Sequence, residues 1–467
     1  MNEKKDLHDS RLATTDEKGN RIYIHPEDIS GKLVSRRSFF YWFLISLYLV
    51  LPWIYIDGKQ WVLLDIPKRE FTIFGTMFYG HEGPLIFFLL LGFIVLMAFI
   101  TSLWGRVWCG WACPQTVFIH SLFLKVEKFV EGNARKRREL DRQKLSFNKF
   151  LKRVTKWILF LLISFHIVHS FLGYFVGTRK LFWITLGSPS DNWTLFTTML
   201  IMTGIILFDF GWFKEQFCII ACPYGRFQSV AMDDNSMIVA YDYNRGEPRR
   251  NKVTPKENEG DCINCNHCVK ACPTGIDIRR GTQLECIACT MCIDACDNIM
   301  EKVHKPKGLI GYTTENKLTH KPAPKVQIRS IVYLLILIAI GAGLIYSISE
   351  RAELKVQILR SNSTPYQTIN TQDATPLILN QFKLKISQTD AHREVLTLKI
   401  ISKITNVSLT MPYDVIEMKQ DNFQMPVFIK FPKAILVDGK KKLIIGLFNK
   451  KNEMLKSMEV DLVGPIK

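Results

Sequence analysis

Both ends of the chain lack cysteine: all twelve cysteines lie between residues 109 and 296, and residues 349–467 contain none. No disulfide can therefore staple the C-terminal segment. No apolar run occurs before about residue 38, which argues against a cleavable signal peptide. Acidic side chains are scarce, with 43 Asp and Glu against 61 Lys and Arg, so the formal net charge is +18. No nucleic-acid-binding motif accompanies this charge, so nucleic acid is not an expected partner.

Long apolar stretches are present instead, and they predict a membrane protein. Five of them reach the roughly 20 residues that a helix needs to cross a bilayer. They lie near 38–56, 84–104, 157–176, 194–213 and 329–348. Lys and Arg are concentrated between the second and third spans, which predicts a cytoplasmic location for that connection. The N-terminus is then inside and the C-terminus outside, and anionic lipid headgroups of the inner membrane are the expected partners of the positive charge.

Eight cysteines follow a tandem pattern in which three are separated by two residues and a fourth comes after three more. The fourth cysteine of each run ligates the other cluster in two-cluster ferredoxins. We therefore predict two [4Fe–4S] clusters, each held by one of two sets. The first cysteine set is Cys262, Cys265, Cys268 and Cys296, and the second cysteine set is Cys286, Cys289, Cys292 and Cys272. Zinc sites and disulfides fit less well, because zinc sites usually pair two such cysteines with a distant second pair.

The domain organisation follows from these segments and from a change of character near residue 349. Short β-rich runs recur after that point and predict an immunoglobulin-like β-sandwich. Residues 214–328 carry both cysteine runs on the predicted inner side, where the cytosol keeps thiols reduced. The predicted segments are a cytoplasmic N-terminal segment (1–37), a four-span α-helical membrane domain (38–243), a ferredoxin-like domain (244–328), a fifth span (329–348) and a periplasmic β-sandwich (349–467).

The remaining four cysteines form two copies of the pattern Cys-x3-Cys-Pro. We call them the span-end thiols, because each pair follows a predicted span: Cys109, Cys113, Cys218 and Cys222. Cysteines four residues apart share one helical face, and the following proline predicts that the helix ends at the second cysteine. Soft thiolates select Cu(I), Zn²⁺ or iron–sulfur centres. Simple packing of small apolar side chains is the alternative.

Two histidines, His166 and His169, lie within the third span. Ionisable residues inside a membrane suggest function, here a proton path, a haem b ligand or a quinone contact. A hydrogen bond between helices is the alternative explanation.

Longer motifs around the cysteines resemble a known family. They comprise residues 104–116, 215–218, 221–228, 305–310 with Tyr312, and 19–26. In these motifs the chain resembles the cytochrome c oxidase accessory proteins of the CcoG/FixG type, over nearly its whole length. The resemblance implies a membrane polyferredoxin that serves assembly of the cbb-type haem–copper oxidase and reduces Cu(II) to Cu(I). Asp297 departs from the ferredoxin pattern, which often has proline there, but the position supplies no ligand.

Two functions stay open at this stage. In the first, a cupric reductase passes electrons through its clusters to copper at the span-end thiols and works with copper chaperones or oxidase assembly factors. In the second, which resembles the nitrate-reductase-associated polyferredoxins, a quinol dehydrogenase passes electrons through the clusters to a soluble partner. A purely structural scaffold is hard to reconcile with eight spaced ligands. The electron donor and the oligomeric state, a homo-oligomer included, are left open.

Overall fold

The structure, a computed structural model, divides the chain into two compact units, Met1–Ser347 and Ile348–Lys467. The residues that it describes are 14–15, 18, 20–56, 58–67, 70–79, 83–250, 259–322, 327–349, 354–361, 365–369, 376–388, 395–402, 404–417 and 422–465. Three sequence-based interpretations therefore lie partly outside the described residues. They concern the N-terminal segment, the connection after the first span and the stretch that leads into the cluster domain.

Five helices are long and apolar enough to cross a membrane, which confirms the predicted number of spans. They are Lys32–Trp53, Leu85–Trp104, Phe147–Val176, Pro189–Phe213 and Ile328–Ser349. The third helix begins well before the predicted residue 157, because Ser146 caps its N-terminus by accepting a hydrogen bond from the backbone N–H of Lys149 at 3.3 Å. Its first turns are basic, so the helix extends beyond the apolar stretch.

The first unit is mainly helical. Its helices are α1 (Lys32–Val50), α2 (Gly83–Trp104), α3 (Val107–Trp111), α4 (Pro114–Phe118), α5 (Leu124–Glu131), α6 (Ala134–Arg142), α7 (Phe147–Val176), α8 (Thr178–Leu186), α9 (Trp193–Ile206), α10 (Pro223–Ala231), α11 (Tyr243–Gly246), α12 (His267–Ala271), α13 (Met291–Lys302), α14 (Glu315–Leu318) and α15 (Ile328–Ser349). Of the π-helical turns in the described residues, a rare geometry often found at functional sites, Ile119–Phe123 and Leu207–Phe213 lie near the span-end cysteines and Phe217–Ala221 contains Cys218.

Short antiparallel strands complete this unit. Between the first two spans lie β1 (Tyr55–Ile56), β2 (Lys59–Gln60), β3 (Val62–Asp65), β4 (Glu70–Ile73) and β5 (Thr76–Tyr79). The strands β6 (Ile238–Tyr241) and β7 (Ile310–Thr313) pair with each other and enclose the cysteine-rich segment between them in sequence. A buried core of Val239, Tyr241, Ile278, Leu309 and neighbouring side chains joins this ribbon to the cysteine-bearing loops.

The cysteine-rich segment is docked on the N-terminus of the first span. Asp294 on α13 is buried and accepts hydrogen bonds from the backbone N–H groups of Leu33 and Val34, at 3.4 and 2.7 Å. The first N–H groups of a helix have no partner within the helix, and a carboxylate there also meets the positive end of the helix dipole. A Cβ at Gly31 would lie 2.2 Å from the Asp294 side chain, so only glycine leaves room for this cap.

A buried ionic cluster holds the basic connection between α5, α6 and α7 against the fourth span. Glu127 pairs with Lys214 at 2.5 Å and with Arg137 at 3.0 Å, and Glu131 pairs with Lys156 at 2.9 Å. Burial opposes ionisation of Glu127, but the surrounding cations hold its pKa below the ordinary value. Removing one partner of such a cluster leaves charges buried without compensation.

We expect Glu127→Gln to lower the free energy of unfolding by about 3–5 kcal/mol, because Lys214 and Arg137 lose a buried counter-charge. Denaturant unfolding in detergent, followed by circular dichroism, measures the loss. Glu139→Gln is the matched control, since Glu139 pairs with Arg135 on an exposed face and should change stability by less than about 1 kcal/mol. Equal effects of the two substitutions would contradict a stabilising role of the cluster.

The second unit is a sandwich of two antiparallel sheets. Its strands are β8 (Leu354–Arg360), β9 (Gln367–Ile369), β10 (Leu377–Gln388), β11 (Val395–Ile400), β12 (Ser408–Thr410), β13 (Val415–Glu417), β14 (Asn422–Pro432), β15 (Lys440–Phe448) and β16 (Met454–Val463). One sheet has the order β12–β14–β10–β8 with β9 beside β10, and the other has the order β13–β11–β15–β16. Alternate residues from both sheets, such as Leu384, Val427 and Leu443, are fully buried between them. The predicted β-sandwich is thereby confirmed.

Candidate metal centres

The eight cysteines of the tandem pattern lie near one another in the structure. Burial raises the pKa of Cys296 to about 12, and the nearby thiols of Cys268, Cys262 and Cys265 add to the rise. Burial likewise raises the pKa of Cys292, with further contributions from Cys289, Cys286 and Cys272. Cys296 thus lies near the first run and Cys272 near the second, and Cys268 of the first set also lies near Cys292. The division of the eight cysteines into two ligand sets stays a prediction. A small cavity is lined by all four thiols of the second set and by Cys268 of the first set.

The backbone of both loops has a geometry that sequence reasoning missed. In each run, the residues before and after the middle cysteine have positive φ: Asn264 and Asn266 around Cys265, and Ala288 and Thr290 around Cys289. Asparagine adopts this region fairly easily, but alanine and a β-branched threonine do so at a cost. The repeated conformation bends each loop on both sides of its middle cysteine. A set of four cysteines of this kind fits a [4Fe–4S] cluster, which would supply one-electron redox chemistry.

The two Cys-x3-Cys-Pro motifs also share one local structure. The first cysteine of each lies in a short helical segment, Cys109 in α3 and Cys218 in the π-helical turn Phe217–Ala221. The second cysteine of each has extended backbone, with ψ of 126° at Cys113 and 113° at Cys222, and a new helix begins at the proline. Proline is favoured at the first helical position and restricts the residue before it. The helix therefore ends before the second cysteine, as the sequence predicts.

The structure brings the four span-end thiols close to one another. Burial raises the pKa of Cys109 to about 12, and Cys113 and Cys222 contribute further. Burial also raises the pKa of Cys218, with contributions from Cys113, Cys109 and Cys222. Within the described residues, no three Cys, His, Asp or Glu side chains converge closely enough to hold a single ion. Binding of one copper ion by three or more of these thiols would thus require side-chain movement.

Two glutamines connect the two Cys-x3-Cys-Pro motifs through hydrogen bonds. Gln228 is fully buried, and its Nε2 lies 3.2 Å from Cys109 Sγ. Gln115 donates to Asp209 Oδ1 at 2.9 Å and to the carbonyl oxygen of Lys214 at 3.3 Å. Each glutamine thus follows one motif and contacts the other motif or the segment leading to it. Sequence reasoning missed both residues, although each lies shortly after a Cys-Pro pair.

The histidines of the third span are not part of this arrangement in the structure. His166 is exposed on the span, whereas His169 Nε2 is 3.3 Å from Thr185 Oγ1 on α8. The contact of His169 is the hydrogen bond between helices that the sequence left as one alternative. His120, which follows the first motif, is partly buried, and its pKa is lowered to about 3 by burial and by Arg37 and Lys214, so it is neutral at pH 7.

Comparison with protein families places iron–sulfur and immunoglobulin-like segments along the chain. A family model described as a 4Fe–4S dicluster domain matches residues 213–315, and one described as a 4Fe–4S binding domain matches residues 85–131. A third, for the IG-like fold at the C-terminus of FixG, matches residues 344–465. The first match includes both cysteine sets, and the second includes Cys109 and Cys113. These matches support iron–sulfur clusters as cofactors.

Individual relatives extend this likeness over most of the chain. RdxB of Cereibacter sphaeroides is 35% identical, covering 74% of this chain and 76% of the relative. RdxA of the same organism is 34% identical, covering 78% and 79% respectively. The chain belongs to the FixG family of membrane polyferredoxins. The nitrogen fixation protein FixG of Rhizobium meliloti is itself 36% identical, over 58% of this chain and 53% of that protein. This FixG-type chain is a membrane iron–sulfur electron-transfer protein.

In the predicted sets, the fourth cysteine of each run ligates the cluster of the other run. Double substitutions test this assignment, because the two cysteines replaced can belong either to one set or to different sets. If Cys272 belongs with Cys292, Cys272→Ala/Cys292→Ala should keep the other cluster and roughly half of the iron, because two-cluster ferredoxins exchange their fourth ligands. Cys272→Ala/Cys268→Ala should instead lose both clusters. Iron analysis and low-temperature EPR of anaerobically purified protein distinguish the two. If the first variant lost both clusters and the second kept one, the ligands would not be crossed.

Proposed function

We propose that this FixG-type protein is a cupric reductase that prepares Cu(I) for assembly of a cbb-type cytochrome c oxidase. The observation that carries the proposal is the gathering of four half-buried thiols from two distant motifs at the ends of the second and fourth spans. Thiolates are soft ligands that prefer Cu(I) to harder divalent ions. A site of this kind would stabilise the reduced product, so reduction and retention of copper would occur at one place.

The chain's own residues have distinct roles in this proposal. Copper is the substrate, and Cys109, Cys113, Cys218 and Cys222 bind it. Gln228 orients Cys109, because its Nε2 can donate to the sulfur at 3.2 Å. The iron–sulfur clusters, when bound, supply single electrons. The ionic cluster around Glu127 fixes the ends of α7 and the fourth span, on which the geometry of both motifs depends.

Orientation and partners belong to the same proposal. The cationic connection between the second and third spans favours an inner location for the clusters and the N-terminus, in the bacterial cytoplasmic membrane. The sandwich is then periplasmic, where a domain without cysteine needs no redox protection. Oxidase assembly factors or copper chaperones would receive the Cu(I), and the electron donor would approach from the cytosol or the membrane.

A second candidate function, quinol oxidation, is favoured by one specific observation. A cavity of about 410 Å³ lies among α1, α7 and α9 and is lined almost wholly by apolar side chains. Ala112 and Pro114, the neighbours of Cys113, form part of its wall. Cavities of this size and character accept small apolar ligands. Reduction of the clusters by a quinol analogue, without any effect of added Cu(II), would favour this function over copper reduction.

Substitution of one cysteine in each motif tests the copper site. Cys109→Ser/Cys222→Ser should abolish copper binding, because each Cys-x3-Cys pair loses a soft ligand. The iron–sulfur absorbance of the same sample should be unchanged and serves as the internal control. Copper is measured after equilibrium dialysis with Cu(I) under anaerobic conditions. Unchanged copper stoichiometry in this variant would remove the proposed site.

The raised pKa of Cys109 makes a prediction for pH dependence. Metal ions bind thiolates, so each protonated thiol must release a proton on binding. With its pKa raised to about 12, Cys109 stays protonated at neutral pH, and apparent Cu(I) affinity should rise steadily between about pH 7 and 9. Competition with a Cu(I)-specific chelator measures this slope. An affinity independent of pH over that interval would show that Cys109 is not a ligand.

Reporter fusions test the orientation. Alkaline phosphatase needs disulfides and is active only outside the cytosol. A fusion after Lys467 should therefore be active, whereas a fusion inserted after Arg142, in the basic connection, should be inactive. The opposite pattern would place the cysteine sets on the outer side.

A further inference from the structure

The turn that carries Cys109 lies directly against the loop of the second cysteine set. A Cβ placed on Gly110 would be 2.5 Å from the carbonyl oxygen of Ala288 and 2.6 Å from that of Ile287. No side chain fits in that space, so the two backbones meet only because residue 110 is glycine. Ala288 and Ile287 lie between Cys286 and Cys289, so the contact is with the centre of the ligand loop.

Charged and aromatic side chains fasten the two segments on either side of Gly110. Arg106 donates to the carbonyl oxygen of Cys286 at 3.3 Å, and its other Nη donates to the carbonyl oxygen of Gly225 at 3.2 Å. The buried Arg37 donates to the carbonyl oxygen of Cys289. Tyr41 donates to the carbonyl oxygen of Gly110 at 2.5 Å. Hydrogen bonds from charged donors are the stronger class, so the loop is held at several points.

Side-chain packing places one cysteine of the second set, Cys289, beside the span-end thiols. Cys109 and Cys218 pack against a buried group that contains Ile287, Cys289 and Met291. Cys262, Cys268 and Cys296 belong to a different buried group with Val239 and Leu309, against which Cys272, Cys286 and Cys292 of the second set also pack. Within the part of the chain that the structure describes, no span-end thiol is a member of that second group. The second set therefore reaches the span-end thiols through Cys289, whereas, among the described residues, no cysteine of the first set belongs to the group that contains Cys109 and Cys218.

We propose that electrons reach the span-end thiols from the second cysteine set. We further propose that Gly110 positions the Cys109 turn against the Ile287–Ala288 backbone, a contact that we call the junction. The inference rests on the proposed function, in which the thiols hold the Cu(II) that is reduced. Cys272, Cys286, Cys289 and Cys292 would hold a [4Fe–4S] cluster that supplies one electron at a time. One such electron would convert one Cu(II) to one Cu(I), with one-electron oxidation of the donor and no exchange of a proton or a covalent bond.

The first set then serves as the outer relay of the segment. Its Cys265 is exposed, whereas Cys289, the corresponding cysteine of the second set, is buried. An electron entering at the exposed loop would reach the second set before the thiols. The direction of flow thus follows from the order first set, second set, span-end thiols.

Variants that each lack one cluster test the order first set, second set, span-end thiols. The closed-shell ion Cu(I) is the probe added to each variant. In Cys265→Ala, which lacks the first cluster, added Cu(I) should shift the EPR spectrum and midpoint potential of the remaining centre, because nearby charge changes cluster potential. In Cys289→Ala, which lacks the second cluster, the remaining centre should not respond to Cu(I). A response in Cys289→Ala and none in Cys265→Ala would overturn the proposal.

Gly110→Ala tests the junction itself, since the added methyl group must push the loop away. We expect full iron content and unchanged Cu(I) stoichiometry, loss of the Cu(I)-induced EPR shift, and slower oxidation of the dithionite-reduced clusters by Cu(II). Gly311→Ala is the matched control, because a Cβ there meets nothing within 4 Å, and it should match the unsubstituted protein. If Gly110→Ala behaved like Gly311→Ala, Gly110 would have no positioning role.

A third variant covers the case in which Gly110→Ala does not fold. Arg106→Met removes the hydrogen bonds to the loop without adding a clash, and it should weaken the same EPR shift. An unaltered shift would again contradict the junction. If the proposed function is wrong, the unsubstituted protein binds no Cu(I) at all, which distinguishes this case from failure of the junction alone. The junction proposal would then be wrong as well.

Discussion

Eight cysteine side chains have to be held in two groups of four, and both groups have to lie against a bundle of membrane helices. Sulfur ligation of an iron–sulfur cluster demands the first condition, and docking of the cysteine-rich segment satisfies the second. The positive φ values at Asn264, Asn266, Ala288 and Thr290 bend the loops on both sides of their middle cysteines. Such strained backbone persists only where the surroundings fix it. Here the surroundings are α13, the β6–β7 ribbon and the first span.

Glycine residues and charged side chains hold the cysteine-rich segment against the membrane helices. Asp294 caps the N-terminus of α1, which needs the space at Gly31. Gly110 allows the Cys109 turn to touch the Ile287–Ala288 backbone, and Arg37 and Arg106 bind the carbonyl groups nearby. Each contact joins residues far apart in sequence. Together they place soft thiols beside the segment that fits iron–sulfur clusters, and this proximity is the physical basis of the proposed copper chemistry.

The two units differ in their cysteine content, and only the first contains the thiols on which this chemistry depends. The first unit contains all twelve cysteines, and the second is a cysteine-free sandwich whose core is apolar. Within the described residues of the sandwich no group of possible metal ligands is present.

The sequence alone determined the spans and the sandwich, and it predicts the two cysteine sets, because each depends on a short-range pattern. Apolar length predicts a span, alternation predicts a strand, and fixed cysteine spacing predicts a ligand loop. Tertiary structure decided how these parts meet. Three contacts join residues more than one hundred positions apart. They are the cap from Asp294 to Leu33 and Val34, the contact of Gln228 with Cys109 and the approach of Gly110 to Ala288. No local pattern records such contacts, since their energy exists only once the chain has folded.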